Sequence, residues 1–275
     1  DGEMLSLMLF ALIFGAALSF VRPPGADGTP SPLLAVLEQV FATCMKIVEV
    51  VMRFAPFAVF AIIFNTAYQY GYEIFGSLVK YVLVVVGGLL LQQGVVYSLL
   101  LWTVARRSPW EFFRQCREVY LYAFSTASSN ATLPVALATA EHKLHLPSDI
   151  SRFVLTVGST ANQNGTALFE GVTVLFLAQV YGIDLTYAQQ VQVVLMSILA
   201  GIGTAGVPGG SLPLIMILLQ SVGIPPEGLA LILGVDRFLD MCRTTLNVSG
   251  DLVIAALVSR PREAAKVASA PAVSP

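Results

Sequence analysis

The sequence predicts an all-α integral membrane protein whose later helices are interrupted by polar loops. Three observations carry this. Hydrophobic residues fill 56% of the 275 positions and charged residues only 12%, against roughly 45–50% apolar content in soluble domains; mean hydropathy is +0.77. Residues 4–21 and 81–102 each run about 18 or more positions without a charge, enough to cross a hydrocarbon core of about 30 Å as helix. After residue 120 the apolar runs shorten and small polar clusters break them.

Taken in order, a first helix ends near residue 21 at "RPPGADGTPSP", where prolines and glycines force a surface loop. A second helical region, about 33–70, is expected to kink or break at Pro56. A third runs from about 72 to 105, with Gln92 and Gln93 on a face directed at other helices. "RRSPWEFFRQCR" follows, a helix start at Ser108 and Pro109 with four arginines and three aromatics, which reads as a cytoplasmic membrane interface. The tail beyond residue 260, rich in Ala, Ser and Pro, is expected to be disordered.

From residue 120 the interruptions are "STASSNAT" (125–132), "GSTANQNGT" (158–166), "GIGTAGVPGGS" (201–211) and "DRFLDMCRTTLNVSGD" (236–251). Backbone that leaves helical geometry at membrane depth costs several kcal/mol per unpaired polar group, so it survives only inside protein or along a cavity. The order is duplicated: a hairpin with a small-residue tip, then a broken or charged helix, twice over. That arrangement is the one expected of a carrier with internal repeats.

Several other readings fall away. A net charge of −2 argues against a nucleic-acid role. Cys44, Cys116 and Cys242, odd in number and set in apolar segments, read as small hydrophobes rather than a disulfide framework or metal site. Gly201, Gly203 and Gly206 spell G-x-G-x-x-G, but Pro208, Gly209 and Gly210 break the helix that a dinucleotide fold needs, so the segment reads as a flexible tip. Three glycosylation triplets at Asn130, Asn164 and Asn247 fall inside the apolar core and read as chance matches. Neither His142 nor His145 lies near an activated Ser or Cys in sequence, so the chain does not read as an enzyme.

The last interruption holds three carboxylates and two arginines in sixteen residues. Asp236, Asp240, Arg243, Asn247 and Asp251 recur at helical spacing and share one stripe. Ionisable groups at such depth are costly and face the bundle interior by default. An unpaired Arg243 suits a ligand carboxylate bound bidentately, and Asp240, one turn away, suits a ligand ammonium. The pair reads a zwitterion bearing an extra acid, each charge being paired only when cargo is aboard.

"SSNATLP" (128–134), "NQNGT" (162–166), "GTAGVPGG" (203–210) and the charged stretch together resemble the dicarboxylate/amino acid:cation symporter family, in order and over nearly the whole chain. The resemblance starts near the fourth transmembrane segment of that family's longer chain. It implies an elevator-type fold: scaffold-like helices at 1–71, then a transport core at 72–259. Within the core it implies hairpin 1 at about 117–146, a broken helix at 150–181, hairpin 2 at 187–222 and a last helix at 226–259. It further implies a multi-pass protein of the cell membrane, a homotrimer in the lipid bilayer, that takes up aspartate or glutamate on a sodium or proton gradient. The alternatives are a C4-dicarboxylate carrier, whose members lack an aspartate at the Asp240 position, and a substrate-gated anion channel.

Carried over residue by residue, the resemblance implies that Arg243 binds the cargo's side-chain carboxylate and Asp240 its amino group. Thr244, Asn247, Thr166, Val207 and the backbone at Ser129 complete that set. Gly158, Asn162, Asn247 and Asp251 match a first sodium site; Thr160 with the backbone of Gly201, Ile202 and Thr204 matches a second. Where the family has a carboxylate for a third cation, this chain has Asn164. Gln163 replaces a methionine, Ser211 a glycine, and Ala127 an arginine of archaeal members. Glu170 matches a proton-carrying glutamate. Coupling to fewer sodium ions, or to protons through Glu170, is therefore expected.

Overall fold

The computed structural model describes residues 10, 13–18, 32–54, 57, 60, 61, 64, 65, 68, 71, 73–204 and 206–269. It divides into two compact units, 1–69 and 70–275. In the first unit residues 13–18 are helical and α1 spans Pro32–Met52. A turn follows at 53–54, and the break expected at Pro56 lies outside the described residues.

Every regular element of the second unit is helical among its described residues. Helix α2 begins at Glu73–Leu91 and continues to residue 105 through two π-helical turns, Gln92–Tyr97 and Leu101–Ala105. Mid-helix π turns are rare and mark places where a helix has been adjusted to a neighbour. Arg106 then takes a left-handed φ of 53° and stops the helix. Short α3 (Pro109–Gln115) starts with proline at its first position, where the missing N–H costs nothing.

Two helix pairs and three further helices follow. Helices α4 (Arg117–Thr126) and α5 (Ser129–His142) meet at a tight tip where Ala127 is left-handed and the Ser128 side chain caps α5 by accepting from the Ala131 N–H. Helix α6 (Ser148–Ala161) and α7 (Asn164–Val180) are separated by residues 162 and 163. Helix α8 (Tyr187–Gly203) starts on a capping box between Thr186 and Gln189 and is paired with α9 (Leu212–Ser221) through a Gly-rich tip. A single 3₁₀ turn, Pro226–Gly228, leads into α10, Leu229–Ser269.

The expected breaks at 125–132, 158–166 and 201–211 are present, whereas the fourth is not. Helix α10 runs through 236–251 without interruption. Its charges pair along the helix and against neighbours, so no backbone group has to be given up to accommodate them. The tail also differs from expectation: α10 continues to Ser269, which makes residues 262–269 helical rather than irregular. "REAAKVAS" is rich in strong helix formers and has no internal proline, and that local propensity outweighs its lack of an apolar stripe.

Helix α10 is the centre of the unit. It packs on α2, α4, α5, α6 and α7, and Leu239, Leu246, Leu252 and Ala255 are fully or almost fully buried. The outer faces are apolar: Leu83, Leu90 and Trp102 of α2 and Leu195, Ile198 and Leu199 of α8 are all exposed. A monomeric soluble protein rarely shows so extended an apolar surface. Helical stretches 75–105 and 226–259 are long and apolar enough to cross a membrane. Cys44 is exposed, Cys116 is buried as a small hydrophobe, and all three cysteines are free.

Candidate functional site

The two tips and the α6–α7 break converge on α10. Gly206 is the meeting point: its carbonyl accepts from Ser128 Oγ at 2.8 Å and from the Asn130 N–H at 3.2 Å. A Cβ at Gly206 would stand 2.6 Å from the Ser159 carbonyl oxygen, so only glycine lets three chain segments come this close. Gly209, at φ +72°, donates its N–H to Asp240 Oδ2 at 3.0 Å and fastens the second tip to α10.

Between these segments lies a small polar cavity lined by Ser129, Thr166, Val207, Asp240, Arg243 and Thr244, with Gln163, Thr204 and Ser211 beside them. Its volume is about 10 Å³, room for one water molecule. Six of the seven residues expected to hold cargo thus share one cavity. The seventh, Asn247, lies directly beneath it. Its Oδ1 accepts from the Gly165 N–H at 2.6 Å, and its Nδ2 donates to Gln163 Oε1 at 2.5 Å and Thr166 Oγ1 at 3.1 Å.

Arg243 is not left unpaired, contrary to the expectation from sequence. Only 2% exposed, it donates from Nε to Asp240 Oδ1 at 3.0 Å and from Nη1 to Asp236 Oδ1 at 3.2 Å. The guanidinium also stands 4.1 Å over the Phe169 ring. A buried charge without a partner is penalised far more than a buried pair, so the protein supplies partners of its own. Phe169 and Asp236 were not among the expected site residues. Asp236 was already on the charged stripe, one turn before Asp240, and i, i+7 spacing to Arg243 was the signal; Phe169 had none.

Three of the four residues in the first cation-site group, Gly158, Asn162 and Asp251, come together, while Asn247 one turn along α10 bonds toward the cargo cavity instead. Asn162 Nδ2 donates to Asp251 Oδ1 at 2.7 Å, and a Cβ on Gly158 would collide with the Asp251 carboxylate. Asp251 lies at the floor of a groove of about 540 Å³ between α6 and α10, whose walls include Phe153, Val157 and Ile254. The second group is more dispersed. Thr204 is in the central cavity, and Gly201 and Ile202 line a separate groove of about 760 Å³ with Ala161 and Asn162. Thr160 is exposed, and among the described residues no hydrogen bond joins it to the other three. Glu170 is fully buried in α7, and neither of its carboxylate oxygens has a hydrogen-bond partner among the described residues.

Charged side chains buried where apolar helices break define a helical membrane protein built around a polar site. Residues 1–261 match the sodium:dicarboxylate symporter family, and the chain belongs to it. It is 37% identical over 259 residues to the proton/glutamate-aspartate symporter of Escherichia coli (strain K12), a match covering 94% of this chain and 58% of that protein. Against the proton/sodium-glutamate symport protein of Bacillus subtilis (strain 168) it is 36% identical over 260 residues, 94% of this chain and 59% of the relative. Against excitatory amino acid transporter 3 of Mus musculus it is 37% identical over 253 residues, 91% and 47% respectively. The chain therefore spans about half to three-fifths of the length of these relatives.

Proposed function

We propose that the chain forms the substrate-binding core of a secondary active symporter for acidic amino acids, L-aspartate or L-glutamate, driven by sodium or protons. The observation that carries this reading is the Asp236–Arg243–Asp240 cluster enclosed by the two helix tips. A guanidinium fork matches the second carboxylate of an acidic amino acid, and Asp240, released from Gly209 when the tip moves, matches its ammonium. The remaining polar groups, Thr166, Thr244 and Asn247 with the backbone at Ser129 and Val207, suit the α-carboxylate and main chain of the cargo. Names of relatives that carry glutamate and aspartate support the same class.

Gly158, Asn162, Asn247 and Asp251 form the first cation site on this reading, and Thr160, Gly201, Ile202 and Thr204 a second. Sodium is cargo here, not a resident cofactor, and oxygen ligands of this type suit a hard cation. Glu170 is the candidate proton carrier: an isolated buried carboxyl is far cheaper neutral than charged. The α4–α5 and α8–α9 pairs act as opposed re-entrant hairpins. The assembly works in the cell membrane as a multi-pass homotrimer, moving the core past a scaffold.

Aspartate binding titrated against sodium at mildly acidic and mildly alkaline pH tests the reading. Binding that strengthens with sodium, with protons, or with both is expected; no aspartate binding under any of these conditions refutes it. The runner-up, a C4-dicarboxylate carrier, is separated by Asp240→Asn. Loss of the carboxylate is expected to weaken aspartate binding about tenfold or more while affecting succinate much less, since succinate has no ammonium to pair. Equal losses for the two ligands favour the dicarboxylate reading.

A further inference from the structure

Three consecutive carboxamides, Asn162, Gln163 and Asn164, cross from α6 into α7, and each ties to a different place. Asn162 Nδ2 reaches Asp251 in α10. Asn164 Nδ2 donates to the Tyr97 hydroxyl at 3.0 Å, in the first π turn of α2. Gln163 is 5% exposed and turns both ends of its amide to use: Nε2 donates to the Ser159 carbonyl at 2.9 Å, and Oε1 accepts from Asn247 Nδ2.

The bond to Ser159 matters most. A helix that stops leaves its last carbonyls without partners. In an unbroken helix the Ser159 oxygen would receive the main-chain N–H of residue 163; here the side chain of residue 163 takes that place. Where helices break at membrane depth, exposed carbonyls are satisfied either by N–H donors or by cations. An amide N–H does for one carbonyl what a cation does for several, and it is covalently attached. The other end of the same amide orients Asn247, which in turn holds the N-terminus of α7 through Gly165.

We propose that Gln163 is a tethered substitute for a bound cation. It closes the α6–α7 break and positions Asn247 and Thr166 under the cargo cavity without an ion beside Ser159, and so determines how many cations cargo binding requires. The proposal rests on the symporter reading above for the identity of the cargo. Its physical content concerns the break and sodium alone.

The test is Gln163→Met, which keeps length and apolar bulk and removes both amide functions. Two readouts are taken on the same purified protein. Aspartate affinity at low sodium is expected to fall about tenfold and to recover at high sodium, so that the slope of log Kd against log sodium steepens. Without aspartate, sodium is expected to raise the melting temperature of the variant more than that of the wild type. A slope and a sodium-dependent melting shift equal to wild type overturn the proposal, as does an affinity loss identical at all sodium concentrations. If the wild type binds no aspartate, the symporter reading fails and the melting shift alone still decides this inference. Should Gln163→Met not fold, Gln163→Leu, which also removes both amide functions and adds no charge, is measured for the same melting shift against sodium, with the same two outcomes.

Discussion

On the proposed symporter reading, Arg243→Cys is expected to abolish the binding of acidic amino acids, with glutamate affinity lowered by at least about 100-fold. Removing one partner of a buried, hydrogen-bonded ion pair costs about 3–5 kcal/mol, and 1.4 kcal/mol is a factor of ten in affinity. The cost arises twice. On this reading the cargo's second carboxylate would lose its guanidinium fork, and Asp236 and Asp240 lose the guanidinium that joins them. With that positive charge gone and space opened beside Phe169, a small neutral amino acid meets less opposition than an acidic one. Binding of glutamate, aspartate, serine and alanine to the same preparation measures this. Undiminished glutamate affinity refutes the assignment of Arg243. Arg243→Lys keeps the charge without the fork and is expected to fall between the two.

The second large effect is structural. Gly165→Ala would place a Cβ 2.7 Å from the carbonyl oxygen and 3.1 Å from the Cα of Arg243, both backbone atoms of the central helix. Backbone in a packed helix has nowhere to go, so α7 must move away from α10. That movement breaks the Gly165 N–H bond to Asn247 and loosens the floor of the cavity. Overpacking of this kind costs about 1–3 kcal/mol, which lowers a melting temperature by about 5 °C in a domain of this size. Cargo affinity is expected to fall in parallel. A variant that melts and binds like wild type would show that the α7–α10 approach is looser than described here.

The sequence carried much of this arrangement because the signals were local. Polar clusters in apolar runs mark the breaks at 127–128, 162–163 and 204–211 directly, since only protein-buried backbone tolerates them. Helical spacing placed Asp240, Arg243 and Asn247 on one stripe before any contact was known. What stayed hidden was tertiary. The charged stretch reads as a fourth interruption because charge in an apolar run looks like a break, yet Asp236 and Asp240 both pair with Arg243 on an intact α10. Phe169 beneath the guanidinium depends on how α7 rotates against α10. The π turns of α2 have no sequence signature; they bring the Tyr97 hydroxyl to Asn164 and so close to α10 that only Gly250 fits opposite it. Gln163 stands out in the sequence as a departure from the family pattern, but its two bonds depend on the fold around it.

The contact of the two helix tips at Gly206 fixes how readily the cavity opens. Among the described residues three hydrogen bonds hold the closure: two to the Gly206 carbonyl and one from Gly209 to Asp240. At a net worth of about 0.5–1.5 kcal/mol each, they sum to roughly 1.5–4.5 kcal/mol. Taken alone, that sum would leave an open state populated on the order of 0.05–8%. On the proposed symporter reading, a latch this light would favour turnover over retention, and small differences in the contacts of cargo and ions would decide which of the two tips gives way first.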